Sequence, residues 1–238
     1  MKVKSIWLRR IHKWVGLAIG VQFALWAISG AAMALLDMEA VAGGPRSETI
    51  HAALPGNASS WPIIARQIGT AKIEGVRLKT LLDRPVVEVR TARSTLTFDA
   101  RTGEQVRMTA TAARAAAHAA HPDGAHPVSA ALLTETILPV REHEPPIWQV
   151  EFADEGASTY YVSATTGTVL ERRNDTWRWW DFFWMLHNMD YVDRTSFNHP
   201  LIITVGVAMA WLAVTGFWLL FRTMWRHDLA WLRLRDGR

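Results

Sequence analysis

Nine histidines are the chain's main stock of side chains able to hold a metal or move a proton, and their positions fall into three sets. His12 and His227 flank two long apolar runs at their outer ends. His187 and His199 stand on the approach to the second run, and His51, His118, His121, His126 and His143 lie between the runs. Imidazole titrates near neutrality, and in its neutral form it is a strong metal ligand. The chain has no cysteine, which removes disulfides, iron–sulfur clusters, thiolate zinc sites and thioether-attached haem. A metal would therefore sit on histidine, carboxylate or methionine. No Gly-x-Ser-x-Gly, His-Glu-x-x-His, glycine-rich phosphate loop or dinucleotide fingerprint occurs, so hydrolase and nucleotide chemistry are not signalled. Electron transfer by this chain would need an outside donor.

The elements that must position these histidines are the apolar runs themselves. Trp14 to Leu36 is 23 residues without a charge, and Leu201 to Phe221 is 21. At about 1.5 Å per residue each measures roughly 32 to 35 Å, enough to cross a bilayer core. A cleaved signal peptide ending near Ala31 competes for the first run, which is longer than the usual 7 to 15 apolar residues or so of such a peptide. Five Lys/Arg and no acid precede the first run, and five Arg against two Asp follow Phe221, whereas residues 37 to 198 carry a balance of −4. The positive-inside tendency then predicts cytoplasmic termini and a periplasmic middle, across the inner membrane. The sequence pI near 9.8 is read as this topology signal and not as nucleic-acid binding.

The expected organisation is a basic cytoplasmic N-terminus at 1–13, a first span at 14–36, an extracytoplasmic domain at 37–175, an interfacial aromatic helix and loop at 176–198, a second span at 199–222 and a basic tail at 223–238. The fold class is an α+β membrane protein. Within the middle, Pro85 to Gly103 recurs as Pro146 to Gly167: alternation of apolar and polar residues, a turn, alternation again, then Thr-Gly and a further apolar residue, Val106 or Val169. Each copy predicts a three-stranded antiparallel meander, with glycine supplying positive φ at the turn. Helical patterns are expected at Trp61 to Gly69, capped by Ser59 or Ser60, at Val128 to Ile137, and over the alanine-rich Thr109 to Ala120. Two helix-plus-sheet units follow, at about 58–108 and 126–173. Thr176 to His187 holds four Trp and two Phe broken by Arg178 and Asp181, a composition suited to the headgroup layer.

Arg10-Ile-His12-Lys-Trp-Val-Gly-Leu, followed by Gln22 and Ser29-Gly30, resembles the first-span signature of the PepSY-associated transmembrane family. Met185-Leu-His187 and Thr215-Gly216-Phe-Trp-Leu-Leu resemble its later span, and the repeated meanders resemble PepSY domains. Some larger relatives, with four or more spans, are haem-bearing inner-membrane reductases that pass electrons to ferric siderophores. The resemblance therefore implies haem b and electron transfer, with a ferric siderophore as substrate, a haem-dependent oxidoreductase component. Members carrying PepSY domains alone are associated with inhibiting or regulating peptidases. The rival expectation is accordingly a membrane-anchored, non-enzymatic module that binds a peptidase or assembly factor.

For haem b, two neutral imidazoles bind iron from opposite faces, at or inside apolar helices where small residues let the ring lie close. His12 and His187 are the leading ligand candidates and His199 the next; the bland alternatives are a basic anchor for His12 and an Asn-His-Pro helix cap for His199. His12 and His187 lie at opposite faces, roughly 30 Å apart, and cannot share an iron. Ligation then pairs His187 with His199 and His12 with His227, or draws on equivalent residues of a homodimer or partner membrane protein, for which Gly16-x-x-x-Gly20 offers a helix-packing face. His118, His121, Asp123 and His126 form a further metal candidate, for which a polar Pro-Asp-Gly turn is an equal explanation.

Overall fold

In lipid a backbone must satisfy its own hydrogen bonds, so an uncharged apolar run folds as helix. The computed structural model describes residues 5–44, 60–192, 194, 196 and 198–227. Helix α1 covers Ser5–Leu35 and α6 covers Pro200–His227. Both begin or end beyond the charge-free runs, so His12 and Arg222 are inside helices rather than on flanking loops. The stretches long and apolar enough to cross a membrane are Ile6–Leu35 and Pro200–Arg222, and only 6% of the most apolar window of each is buried within the protein. That figure separates them from soluble core helices, because Leu17, Val21, Val207 and Phe221 point their side chains away from protein. Short α2 (Met38–Val41) follows α1, with the Asp37 carboxylate accepting from the Glu39 N–H at 3.0 Å.

The described residues divide into two compact units. One contains α1, α6 and the end of α5 (Asp175–Asn188) from Asp181 onward; the other runs from Leu36 to Trp180. In the first, α1 and α6 pack antiparallel: a Cβ on Gly16 would meet Leu212 at 3.9 Å, and one on Gly216 would meet His12 at 3.4 Å, so contacts climb one helix as they descend the other. Small residues at these crossings let the backbones approach.

The second unit is a doubled helix-plus-sheet. Helix α3 (Trp61–Ile68) precedes β1 (Ile73–Leu81), β2 (Arg84–Thr91) and β3 (Thr95–Asp99), which form an antiparallel sheet in that order. Helix α4 (Ala110–Ala120) precedes β4 (Pro127–Leu133), β5 (Ile147–Phe152), β6 (Thr159–Ser163) and β7 (Val169–Arg173), again in sequential antiparallel order. Ile64 and Ile68 of α3 bury against Val89 and Phe98. Ala113, Ala116 and Ala117 of α4 bury against Val150, Phe152, Tyr160 and Val162, the small side chains allowing the helix to lie close on its sheet. The Thr-Gly turns hold as expected, with φ of +75° at Gly103 and +68° at Gly167.

Three expectations are corrected. Val128 to Ile137 is not a helix: its first half is strand β4, because pairing with β5 from Pro127 to Leu133 outweighs the helix preference of its alanines and leucines. Its place as the second unit's helix is taken by α4, whose N-cap Thr109 accepts from the Ala112 N–H at 3.2 Å. The first meander gains its third strand ahead of the repeat, as β1, while Val106 belongs to no strand and only an isolated bridge joins Phe98 to Gln105. Ser60 occupies the N-cap position of α3 but gives its hydroxyl to the Ala100 carbonyl at 2.7 Å; Ser59 lies outside the described residues.

Candidate functional site

His12 lies in the third turn of α1, on the face turned toward α6. Its Nδ1 is 2.8 Å from Thr215 Oγ1, and the Trp211 indole stands beside the ring with centroids 6.4 Å apart and planes at 41°. The ring rests on Gly216, where an added Cβ would come within 3.4 Å of Cε1. Glycine here serves close approach: a larger residue would lift the ring off the helix.

His187 stands in the last turn of α5, and the same arrangement recurs around it, with the hydroxyl, glycine and tryptophan now supplied by α1. Its Nδ1 is 3.1 Å from Ser29 Oγ, and the Trp26 indole lies 6.4 Å away at 43°. An added Cβ on Gly30 would sit 3.3 Å from Cε1. Ser29 is buried, at 1% exposure, although it lies in a charge-free membrane helix, so its polar atom is committed to this neighbour and to its own backbone. Each histidine is thus cradled by a hydroxyl, the glycine after it and a tryptophan one turn before. Ser29, Thr215, Trp26 and Trp211 were not singled out as partners of the histidines from sequence. A signal was present: Ala27-Ile-Ser-Gly30 and Ala213-Val-Thr-Gly216 are the same small–branched–hydroxyl–glycine tetrapeptide, one in each span.

His12 and Ser29 are 17 residues apart on one helix, so about 26 Å of rise separates the two cradles. The structure therefore does not bring His12 and His187 together. His199 is placed near the second cradle by a different bond: its Nε2 is 2.7 Å from the Asn188 carbonyl. A carbonyl only accepts, so Nε2 of His199 carries the proton and only Nδ1 remains as a lone pair. Asp181, 2% exposed, pairs with Arg194, tying the end of α5 to the following loop. The backbone of His227 ends α6; its side chain, like His51, lies outside the described residues.

The soluble histidines do not form the metal site considered from their spacing, and among the described residues no three His, Asp or Glu side chains gather to hold an ion. His121 is 8% exposed between Phe152 and Tyr160, and both its nitrogens are used. Nδ1 accepts from the Asp123 and Ala125 N–H groups at 3.3 and 3.4 Å, and Nε2 donates to Asp154 Oδ2 at 3.2 Å. His118 stacks on His126 at 4.6 Å with its Nδ1 on the Ala125 carbonyl. Burial pushes the Asp154 carboxyl up, but hydrogen bonds from the Ser158 side chain and backbone and from His121 hold it below the ordinary aspartate range.

The cradles can be tested against a haem iron on the chemistry of their donors. An axial imidazole needs one ring nitrogen bare and the other held. Among the described residues neither Nε2 of His12 nor that of His187 has a hydrogen-bond partner, while both Nδ1 atoms are held. Each ring would thus have one nitrogen able to hold such an iron, one ring per cradle.

The family model for the PepSY-associated TM region matches residues 9–238, taking in both cradles and both sheets. No curated protein and no solved structure matches the chain.

Proposed function

The chain belongs to the PepSY-associated TM family, and from that premise we propose that it is an inner-membrane haem b protein that carries electrons across the bilayer, with ferric siderophore as the acceptor on the outer side. The observation that carries this reading is the pair of equivalent histidine cradles, one toward each end of the spans, each with an Nε2 that has no hydrogen-bond partner among the described residues. Haem b, when bound, supplies a one-electron ferric/ferrous couple. His12 and His187 are the axial ligands in this reading, one near each face.

Each cradle offers a single imidazole among the described residues, so a second ligand would come from His199 on the outer side or from a second copy of the chain. His199 is the secondary candidate outside, through Nδ1. Gly20 offers a small-residue position for such pairing, since no described atom lies within 4 Å of where its Cβ would be. Five basic residues among the first thirteen put the termini in the cytoplasm and the segment between the spans outside. The exposed Trp179 and Phe182 of α5 suit the headgroup layer. The test is a reduced-minus-oxidised spectrum of the protein purified in detergent from haem-replete cells. An α band lost in the His12→Ala/His187→Ala double variant supports the reading. A colourless wild-type protein overturns it and leaves the spans as anchors for an interaction module.

A further inference from the structure

The cradles carry a proton arrangement that decides which nitrogen each histidine presents. Ser29 Oγ lies 2.6 Å from the Leu25 carbonyl oxygen and 3.3 Å from that of Trp26. Thr215 Oγ1 lies 2.8 Å from the Trp211 carbonyl and 3.2 Å from that of Leu212. A hydroxyl has one proton, and a carbonyl can only accept. Each hydroxyl therefore spends its proton on its own helix one turn back and turns lone pairs toward the imidazole. The facing nitrogen, Nδ1 of His187 at 3.1 Å and Nδ1 of His12 at 2.8 Å, must then be the protonated one. A neutral imidazole has a single N–H, so Nε2 is bare on both rings. Little water competes for these bonds in a hydrocarbon setting, which strengthens the preference.

We propose that Ser29 and Thr215 are positioning residues that lock His187 and His12 in the Nδ1–H tautomer and so leave each Nε2 as the nitrogen that would hold a metal. The identity of the metal group rests on the haem reading above; the tautomer lock does not. The glycine after each hydroxyl lets the ring lie close enough for the bond, and the tryptophan closes one side. His199 provides the internal contrast, since a carbonyl partner holds it in the opposite tautomer. The device explains why a hydroxyl, buried at Ser29 and partly buried at Thr215, stands in each membrane helix directly before a glycine that bears a histidine ring.

The experiment uses the full-length chain, labelled with ¹⁵N-histidine and prepared in detergent without haem. A proton–nitrogen correlation spectrum reads the protonation of each ring nitrogen, with His12→Ala and His187→Ala assigning the signals. Wild type shows Nδ1–H and bare Nε2 for both residues. Ser29→Ala releases His187 alone toward a mixture of tautomers, and Thr215→Val releases His12 alone. The conservative Ser29→Thr and Thr215→Ser keep the wild-type pattern and guard against misfolding as the cause. Haem b titrated into the same proteins, followed by the reduced α band, binds about 10- to 100-fold more weakly to Ser29→Ala and Thr215→Val. A protonated Nε2 in wild type, or spectra unmoved by both hydroxyl deletions, overturns the proposal. If the tautomers behave as stated but wild type takes up no haem, the haem reading falls and the lock stands.

Discussion

Valine in place of Gly30 costs about 1–3 kcal/mol by overpacking, and the cost disappears when His187 is removed. A Cβ at this position sits 3.3 Å from His187 Cε1 and 3.6 Å from its Nδ1. Carbon contacts are optimal at about 3.5–4.0 Å, so alanine asks the ring to yield only a few tenths of an ångström. Alanine's helix preference over glycine, about 1 kcal/mol, offsets that, and Gly30→Ala is close to neutral. Valine adds two carbons about 1.5 Å further out. At least one enters the ring's volume or forces the ring from Ser29. In a His187→Ala background that volume is empty. Unfolding the wild type, both single variants and the double variant in mixed micelles with rising sodium dodecyl sulfate gives the coupling energy, expected at about 1–3 kcal/mol in the direction of relief. A coupling under about 0.5 kcal/mol, the limit of simple additivity, refutes the placement of the His187 ring on Gly30.

The sheet unit offers two further tests. Because the Asp154 carboxyl sits below the ordinary aspartate range when folded, its contribution to stability is complete above that range and is lost as pH falls through the depressed value. Thermal midpoints measured from neutral pH down to about pH 2 decline in wild type, and Asp154→Asn shows a shallower decline with a lower plateau at neutral pH. Ile64 is fully buried against Val89 and Phe98, so Ile64→Ala lowers the stability of this unit by about 2–5 kcal/mol in chemical denaturation, without moving the signals of His12 or His187.

The spans and the histidine sets were legible because lack of charge over more than twenty residues has one structural meaning in lipid. Helix α3 and the Thr-Gly turns were legible because Pro62 near the helix start, a glycine after its end and positive φ at Gly103 and Gly167 are local requirements. Strand β1 was hidden although Val76 and Leu78 alternate with Arg77 and Lys79: Glu74 and Gly75 break the phase at its start, where the register also shifts, and its strand state comes from pairing with β2 along Gly75 to Leu81. Strand β4 was hidden by alanines and leucines that read equally well as helix. The cradles were out of reach for a different reason. Their hydrogen bonds join residues 158 and 203 positions apart, so the tetrapeptides acquire meaning only when packing sets one against His187 of α5 and the other against His12 of α1. Local chemistry marked which residues were unusual; only the pairing of helices showed what each one touches.

Haem content per chain, measured as the pyridine haemochrome of membrane-purified wild type, His12→Ala, His187→Ala and the double variant, tests the central claim most directly. One ligand per cradle and two cradles per chain predict that each single variant keeps about half the wild-type haem and the double variant keeps none. A double variant that reaches the membrane in normal amount with its full complement of haem would contradict it.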